Sequence, residues 1–157
     1  MTRPDATPRR AARVLLVDAA WRVLMLRGRD PGRPHHRYWF TVGGGLDPGE
    51  TPAQGAVREL FEETGLRVAA GVLGEPVFHE VTEFPFDGRW YRQEQCFFLV
   101  RVDSWQVDFA GHNEIERATV DAHRWWAAEE LRATEERFYP AELPELLLSL
   151  SQEDAAC

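Results

Sequence analysis

The sequence predicts an α/β (α+β) domain, either a plain α+β arrangement or an α/β/α sandwich. Three observations point there. Strand-forming segments and short helical patterns alternate along the chain. One helix, near residues 52–64, carries strong start and stop signals. The segment QCFFLV, residues 95–100, is apolar on both alternation faces, as expected of a central strand covered on both sides. A length of 157 residues, 44% of them hydrophobic and 28% charged, suits one domain with its own core. Residues 1–10 are expected to form a flexible N-terminal tail, and residues 11–157 a single domain.

Residues 11–17, AARVLLV, favour a strand, and RVLMLR at 22–27 a second, joined by a turn over Asp18–Trp21. Residues 28–37, with two Pro and two Gly, predict a loop. YWFTV at 38–42 is a short strand running into Gly43, Gly44 and Gly45. Thr51 is an N-cap residue, Pro52 suits the first helical position, Gln54 completes a capping box and Gly65 suits the position just past the end. Within that helix Ala53, Ala56, Val57, Leu60, Phe61 and Thr64 share one side, and Arg58, Glu59, Glu62 and Glu63 the other. Gly55 inside the helix suggests close packing against a neighbouring strand. Residues 66–84 predict one or two strands, FDGR at 86–89 a hairpin turn, and residues 90–102 a long strand. A polar loop or short helix over 108–118, a strand ending at Trp125–Trp126, a short helix over AAEEL and a terminal helix over 140–151 complete the chain.

The net charge of −8 argues against a duplex nucleic acid partner, which needs a basic face. No apolar run approaches the ~20 residues of a membrane span. The N-terminus lacks the apolar core of a secretory signal. Cys96 reads as a small buried hydrophobe and Cys157 is terminal, so no disulfide framework is expected and a cytoplasmic location follows.

Three acids crowd the end of the central helix. Glu62 and Glu63 lie in its last turn, where the helix dipole disfavours negative charge, and Glu59 is their neighbour one turn back. Such a stripe is tolerated as a solvated face, or as a platform for a divalent cation. Mg²⁺ is commonly shared between carboxylates and substrate phosphates.

The longer stretch GGGLDPGETPAQGAVRELFEETGL decides between them. It resembles the Nudix box, G-x5-E-x7-R-E-U-x-E-E-x-G-U with U aliphatic. Gly44, Glu50, Arg58, Glu59, Leu60, Glu62, Glu63, Gly65 and Leu66 fill every fixed position. Chance matching has odds on the order of 10⁻⁸ per chain at average composition. Weaker resemblance extends over roughly residues 11–135, through the opening hairpin and WWAAEEL. The resemblance implies an α/β/α sandwich with a mixed β-sheet and a pyrophosphohydrolase acting on a nucleoside diphosphate linked to another group. It implies Mg²⁺, with Mn²⁺ as a substitute, held by Glu59, Glu62 and Glu63 and by the carbonyl of Gly43, with Glu114 and Glu116 as further candidate ligands. Arg58 would hold the glutamates through charge-assisted hydrogen bonds, with Glu50 outside the ligand set. Either Glu59 or Glu62 would contact the attacking water; in other members a glutamate outside the box serves, for which Glu114 and Glu116 are the candidates. The partner would be a small nucleotide, and a homodimer is compatible with the reading.

Outside the box, Arg27 could reach a phosphate, and Trp90 with Arg89 and Arg92 forms a basic-aromatic cluster suited to a base and its phosphates. His35, His36, His79, Glu80, Trp125 and Trp126 read as ordinary structural or surface residues. The tyrosine of a diadenosine-polyphosphate type is missing at 82–84, where Thr82, Glu83 and Phe84 stand. The proline of an ADP-ribose type is missing at Thr82. A nucleoside-triphosphate or house-cleaning pyrophosphohydrolase is the default. Two other functions share the fold: a non-catalytic nucleotide sensor, disfavoured by the intact acids, and an isopentenyl-diphosphate isomerase, disfavoured by the apolar setting of Cys96.

Overall fold

The computed structural model describes residues 5–156. The strands are β1 (Thr7–Val17), β2 (Val23–Asp30), β3 (Arg33–Gly45), β4 (Phe78–Phe86), β5 (Arg89–Arg101), β6 (Val120–Trp126) and β7 (Phe138–Tyr139). The helices are α1 (Pro52–Thr64), α2 (Glu114–Thr119), α3 (Ala128–Ala133) and α4 (Leu143–Ala156), with a 3-10 turn at Ala70–Val72.

All seven strands join one mixed sheet. β1 runs parallel to β5 along its full length, and β4 closes that edge antiparallel to β5. β3 is shared between two neighbours. Its residues 37–41 pair with β2, and Val42–Gly45 cross over to pair with Val14–Ala11 of β1. The crossover passes through the three glycines. Gly43 has φ +139°, open to glycine alone at no cost. β6 covers the far edge of β2, and β7 lies parallel to β3 at Trp39–Phe40.

Alternation sends the two sides of β1 and β5 into two cores. Ala12, Val14, Leu16, Cys96, Phe98 and Val100 pack under Ala56 and Leu60 of α1. Leu15, Val17 and Phe97 pack with Trp126 against Leu131 of α3 and Leu143, Leu147 and Leu150 of α4. The expected α/β/α sandwich is therefore the observed one. Leu60 is fully buried, so Leu60→Ala is expected to cost about 2–5 kcal/mol, read as a lower urea midpoint with an unchanged slope.

α1 has the expected ends. Thr51 accepts the N–H of Gln54, Gln54 returns the bond to the N–H of Thr51, and Gly65 is left-handed at φ +80°. The turn Asp87–Gly88 has two residues at positive φ, which matches the right-handed twist of its flanking strands.

Several expectations need correction. β1 begins at Thr7, not Ala11, because residues 7–10 already pair with residues 91–94 of β5. The expected tail thus loses residues 7–10, and residues 1–4, like Cys157, lie outside the described residues. The loop expected over 28–37 is strand on both sides of a tight turn at Pro31–Gly32, held by Asp30, which accepts the N–H of Gly32. Pro34 was the misleading signal, since β3 tolerates it near its start. Only residues 78–84 of the stretch 66–84 are strand. Gly55 is pressed by the side chain of Leu46, which follows β3, rather than by a strand. The two-residue β7 carries no periodic signal.

Candidate active site

The decisive departure from simple periodicity is in α1. Its buried residues are Gly55, Ala56, Glu59, Leu60, Glu63 and Thr64. Two of the three crowded acids therefore point inward, toward the glycine end of β3, instead of into solvent. Glu63 is 1% exposed and Glu59 9%. Glu63 Oε1 accepts the N–H of Gly43 at 2.7 Å. Gly44 has no side chain where one would meet Glu59: a Cβ there would stand 2.7 Å from Glu59 Oε1. The box glycine thus leaves room for a carboxylate.

Arg58 organises the rest. Its Nε and Nη2 donate to the two oxygens of Glu50 at 2.8 and 2.9 Å, a bidentate pair. Nη2 also donates to the Gly45 carbonyl at 2.9 Å, and Nη1 to Glu59 at 3.0 Å and Glu62 at 3.2 Å. Asp47 adds a carboxylate at 3.2 Å. The guanidinium is held above its ordinary pKa, first by the hydrogen bond to Glu50. The same bond holds Glu50 below the usual carboxylate range.

Glu116 completes the site from α2. One carboxylate oxygen each of Glu59, Glu63 and Glu116 lies within 4.8 Å of the others. Glu116 is placed by a capping box with Asn113, and its Oε1 accepts the N–H of Asn113 at 3.0 Å. Burial, aided by the charges of Glu62 and Glu116 and opposed by Arg58, pushes Glu59 up. Glu63 is pushed well above the carboxylate range by burial and by Glu59. Buried like charges at this spacing could hold a hard cation: they offer oxygen ligands and strong negative potential, with Arg58 and Arg13 as the compensating side chains among the described residues.

The remaining candidates separate. Glu62 is half-buried and reaches Arg58, outside the converging trio. Glu114 is exposed on the first turn of α2 and outside the trio as well. The Gly43 carbonyl accepts Arg13 Nη1 at 3.0 Å and keeps a second lone pair. Arg27 lies within β2, pairs with Asp121 at 2.8 Å and sits over Trp39. Trp90 and Arg92 are near the β4–β5 turn, opposite Pro85 and Glu83. Phe97 stands at the level of Arg13 and hence of Gly43, so Trp90 is roughly 20 Å from that level along the strand. This placement separates the basic-aromatic cluster from the carboxylates along the strand. Cys96 is buried and burial pushes its thiol up, which leaves it inert.

Residues missed in the sequence also surround the site. His112 is buried with Nε2 3.1 Å from the carbonyl of Glu63. Arg13 donates to the carbonyls of Thr41 and Gly43 and to Gln95 Oε1. An arginine between apolar residues of AARVLLV was the available signal, since a central strand does not bury a guanidinium without partners.

The NUDIX domain model matches residues 7–146. The chain belongs to the Nudix family. An RNA pyrophosphohydrolase of Rhodopseudomonas palustris is 32% identical over 139 residues, covering 80% of this chain and 78% of that protein. Another RNA pyrophosphohydrolase, from Erythrobacter litoralis, is 39% identical over 88 residues; the match covers 50% of this chain and only 54% of that relative's length. Among solved structures, the MutT protein from Methanosarcina mazei Go1 superposes with TM-score 0.68 at 18% identity, covering 97% of this chain and 99% of that one. The C. elegans Ap4A hydrolase gives 0.56 at 21% identity, covering 95% and 99%. These structures share the fold with the present Nudix chain. The family groups it with hydrolases acting on pyrophosphate bonds.

Proposed function

We propose that this Nudix chain hydrolyses a pyrophosphate linkage in a nucleoside diphosphate derivative, a nucleoside triphosphate being the default, with Mg²⁺ or Mn²⁺ held by Glu59, Glu63 and Glu116. The observation that carries the reading is the convergence of three carboxylates, two of them buried, at the glycine end of β3. Glu62 and the Gly43 carbonyl stand next to that set as further ligands. The cation, when bound, neutralises the phosphates and makes a coordinated water acidic. Glu59, desolvated and held by Arg58, is the group poised to take the water's proton. Arg58 orients Glu59 and Glu62 and contacts no substrate. Among the described residues no helix is long and apolar enough to cross a membrane; a cytoplasmic site of action fits the absence of a disulfide framework.

A second reading of the substrate comes from the relatives named RNA pyrophosphohydrolases. Arg33, His35, His36, Arg37 and Arg137 gather on and beside the first half of β3; Asp30 and Asp121 pair with Arg33 and Arg37, and Glu135 and Glu136 line the same hollow, so the positive charge there is partly offset and offers a longer polyanion only a few contacts. One panel separates the two: nucleoside triphosphates, dinucleotides, nucleotide sugars and an RNA bearing a pyrophosphate linkage, each with Mg²⁺ and with EDTA. Metal-dependent release from the small nucleotides supports the first substrate, and release from RNA alone the second. No release from any member overturns the hydrolase reading.

The raised pKa values of Glu59 and Glu63 set a pH dependence. The folded metal-free protein binds these protons more tightly than the unfolded chain does. Their contribution to stability is therefore present below the ordinary carboxylate pKa. It is lost as pH rises through the raised values. A cation competes with the same protons. Magnesium or manganese is expected to raise Tm little at acid pH and by several degrees near pH 8, measured by thermal scans across pH. A metal-induced shift independent of pH would contradict this.

A further inference from the structure

On the α4 side of the sheet, beside the metal-binding end, lies a row of polar side chains that hydrolysis itself does not use. Gln93 is 1% exposed, and its Oε1 is buried without a hydrogen-bond partner among the described residues. Its Nε2 donates to Gln95 Oε1 at 2.8 Å. Gln95 Nε2 donates in turn to Glu80 Oε1 at 2.5 Å, and Gln95 Oε1 also accepts Arg13 Nε at 3.2 Å.

The polarity of this row is forced. A guanidinium has donors only, so Gln95 must turn its carbonyl oxygen toward Arg13. Its amide nitrogen then faces the Glu80 carboxylate. Gln93 can meet the same carbonyl only with its own nitrogen, which leaves its oxygen as the free end. An unmet buried acceptor is costly, and a site that keeps one is built to receive a donor. The surroundings indicate which kind. Arg13, Gln95 and Glu80 are half-buried, so the row runs from the buried Gln93 out to partly exposed neighbours. Arg13 lies over the Phe40 ring at 5.9 Å, and Tyr38 lies 5.9 Å from Phe40 and 5.8 Å from Tyr139. Flat aromatic walls next to a hydrogen-bonding edge suit a planar heterocycle. Arg13 ties the row to the metal end through the Gly43 carbonyl, while Gly43 N–H binds Glu63.

We infer that Gln93 is a specificity-determining residue: its side-chain oxygen, locked by Gln95 and Arg13, accepts an N–H from the base edge of the nucleotide substrate. The inference rests on the nucleotide reading above. A base lacking an N–H leaves the oxygen unmet and is rejected, the asymmetry that gives polar pockets their discrimination.

The test uses calorimetry of the full chain in EDTA, so that binding is read without turnover. Adenosine, guanosine, cytidine and uridine 5′-monophosphates are compared with purine riboside 5′-monophosphate, whose base has no N–H. At least one natural nucleotide is expected to bind ten-fold or more tightly than the purine riboside compound. Gln93→Leu, checked for folding by circular dichroism, is expected to bring the two within about three-fold; if it does not fold, Gln93→Met serves. Equal affinities in the wild type overturn the inference, and so does discrimination that persists in a folded variant. A protein that hydrolyses nucleotides without base preference sinks the role of Gln93 and leaves pyrophosphohydrolysis standing. Base-selective binding with no turnover in Mg²⁺ does the reverse.

Discussion

Glu59→Gln is expected to fold like the wild type and to lose at least ~100-fold in kcat, the scale of a removed acid-base or metal contribution. The carboxamide has the shape of the carboxylate, and its oxygen can still accept Arg58 Nη1, so the surrounding network survives. What disappears is a buried negative charge beside Glu63 and Glu116. Because that charge opposes folding in the metal-free protein, the variant's Tm in EDTA is expected to equal or exceed that of the wild type. Lower kcat with undiminished stability is the signature of a functional charge; wild-type turnover at saturating Mg²⁺ would remove Glu59 from the mechanism. Glu62→Gln is the informative companion. Its side chain reaches Arg58 and stands outside the trio, and a loss of ~100-fold there as well would make it a metal ligand on functional grounds.

The second large effect is expected at Arg58. Arg58→Lys retains the charge but not the planar fork that joins Glu50, Glu59 and the Gly45 carbonyl. A single ammonium cannot hold all of them, so Glu59 loses its orientation. About 10–100-fold weaker apparent metal affinity, with a parallel loss of kcat/KM, is the scale for removing a group that supports ligands. Metal titrations of activity measure it directly. Arg58→Ala should add a fall in Tm, since Glu50, Glu59 and Glu62 then face one another uncompensated. An Arg58→Lys protein with unaltered metal dependence would show that the glutamates hold their positions without the fork.

The contrast between α1 and β3 explains how much was legible. α1 was readable from end to end, because its cap residues, Thr51, Gln54 and Gly65, act locally. Its orientation was not. Apolar periodicity placed Phe61 inside and Glu59 and Glu63 outside, whereas the helix turns those acids toward Gly43. A buried carboxylate is worthwhile only for what it binds, and a hydrophobic pattern has no term for that. The box resemblance marked Glu59, Glu62 and Glu63 as ligand candidates; the structure brings Glu59 and Glu63 together with Glu116, which lies outside the box, and leaves Glu62 beside them. Gln93, Gln95 and Arg13 could not be joined from the sequence, because β1 and β5 are some 80 residues apart and only the parallel register aligns Ala11 with Gln95. The strand expected at 38–42 is the middle of β3, but residues 33–37 before it were missed because proline and glycine were read as loop where an edge position tolerated them.

The shared strand has a bearing on how the protein can vary. β3 is matched to β2 over residues 37–41 and to β1 over residues 42–45. Inserting or deleting one residue between Tyr38 and Gly45 would throw at least one of the two alignments out of phase and displace the glycines that meet Glu59 and Glu63. The bend at Pro31–Gly32 answers to neither alignment. Natural length variation, epitope tags and grafted peptides should accordingly be tolerated at that bend and excluded a dozen residues later.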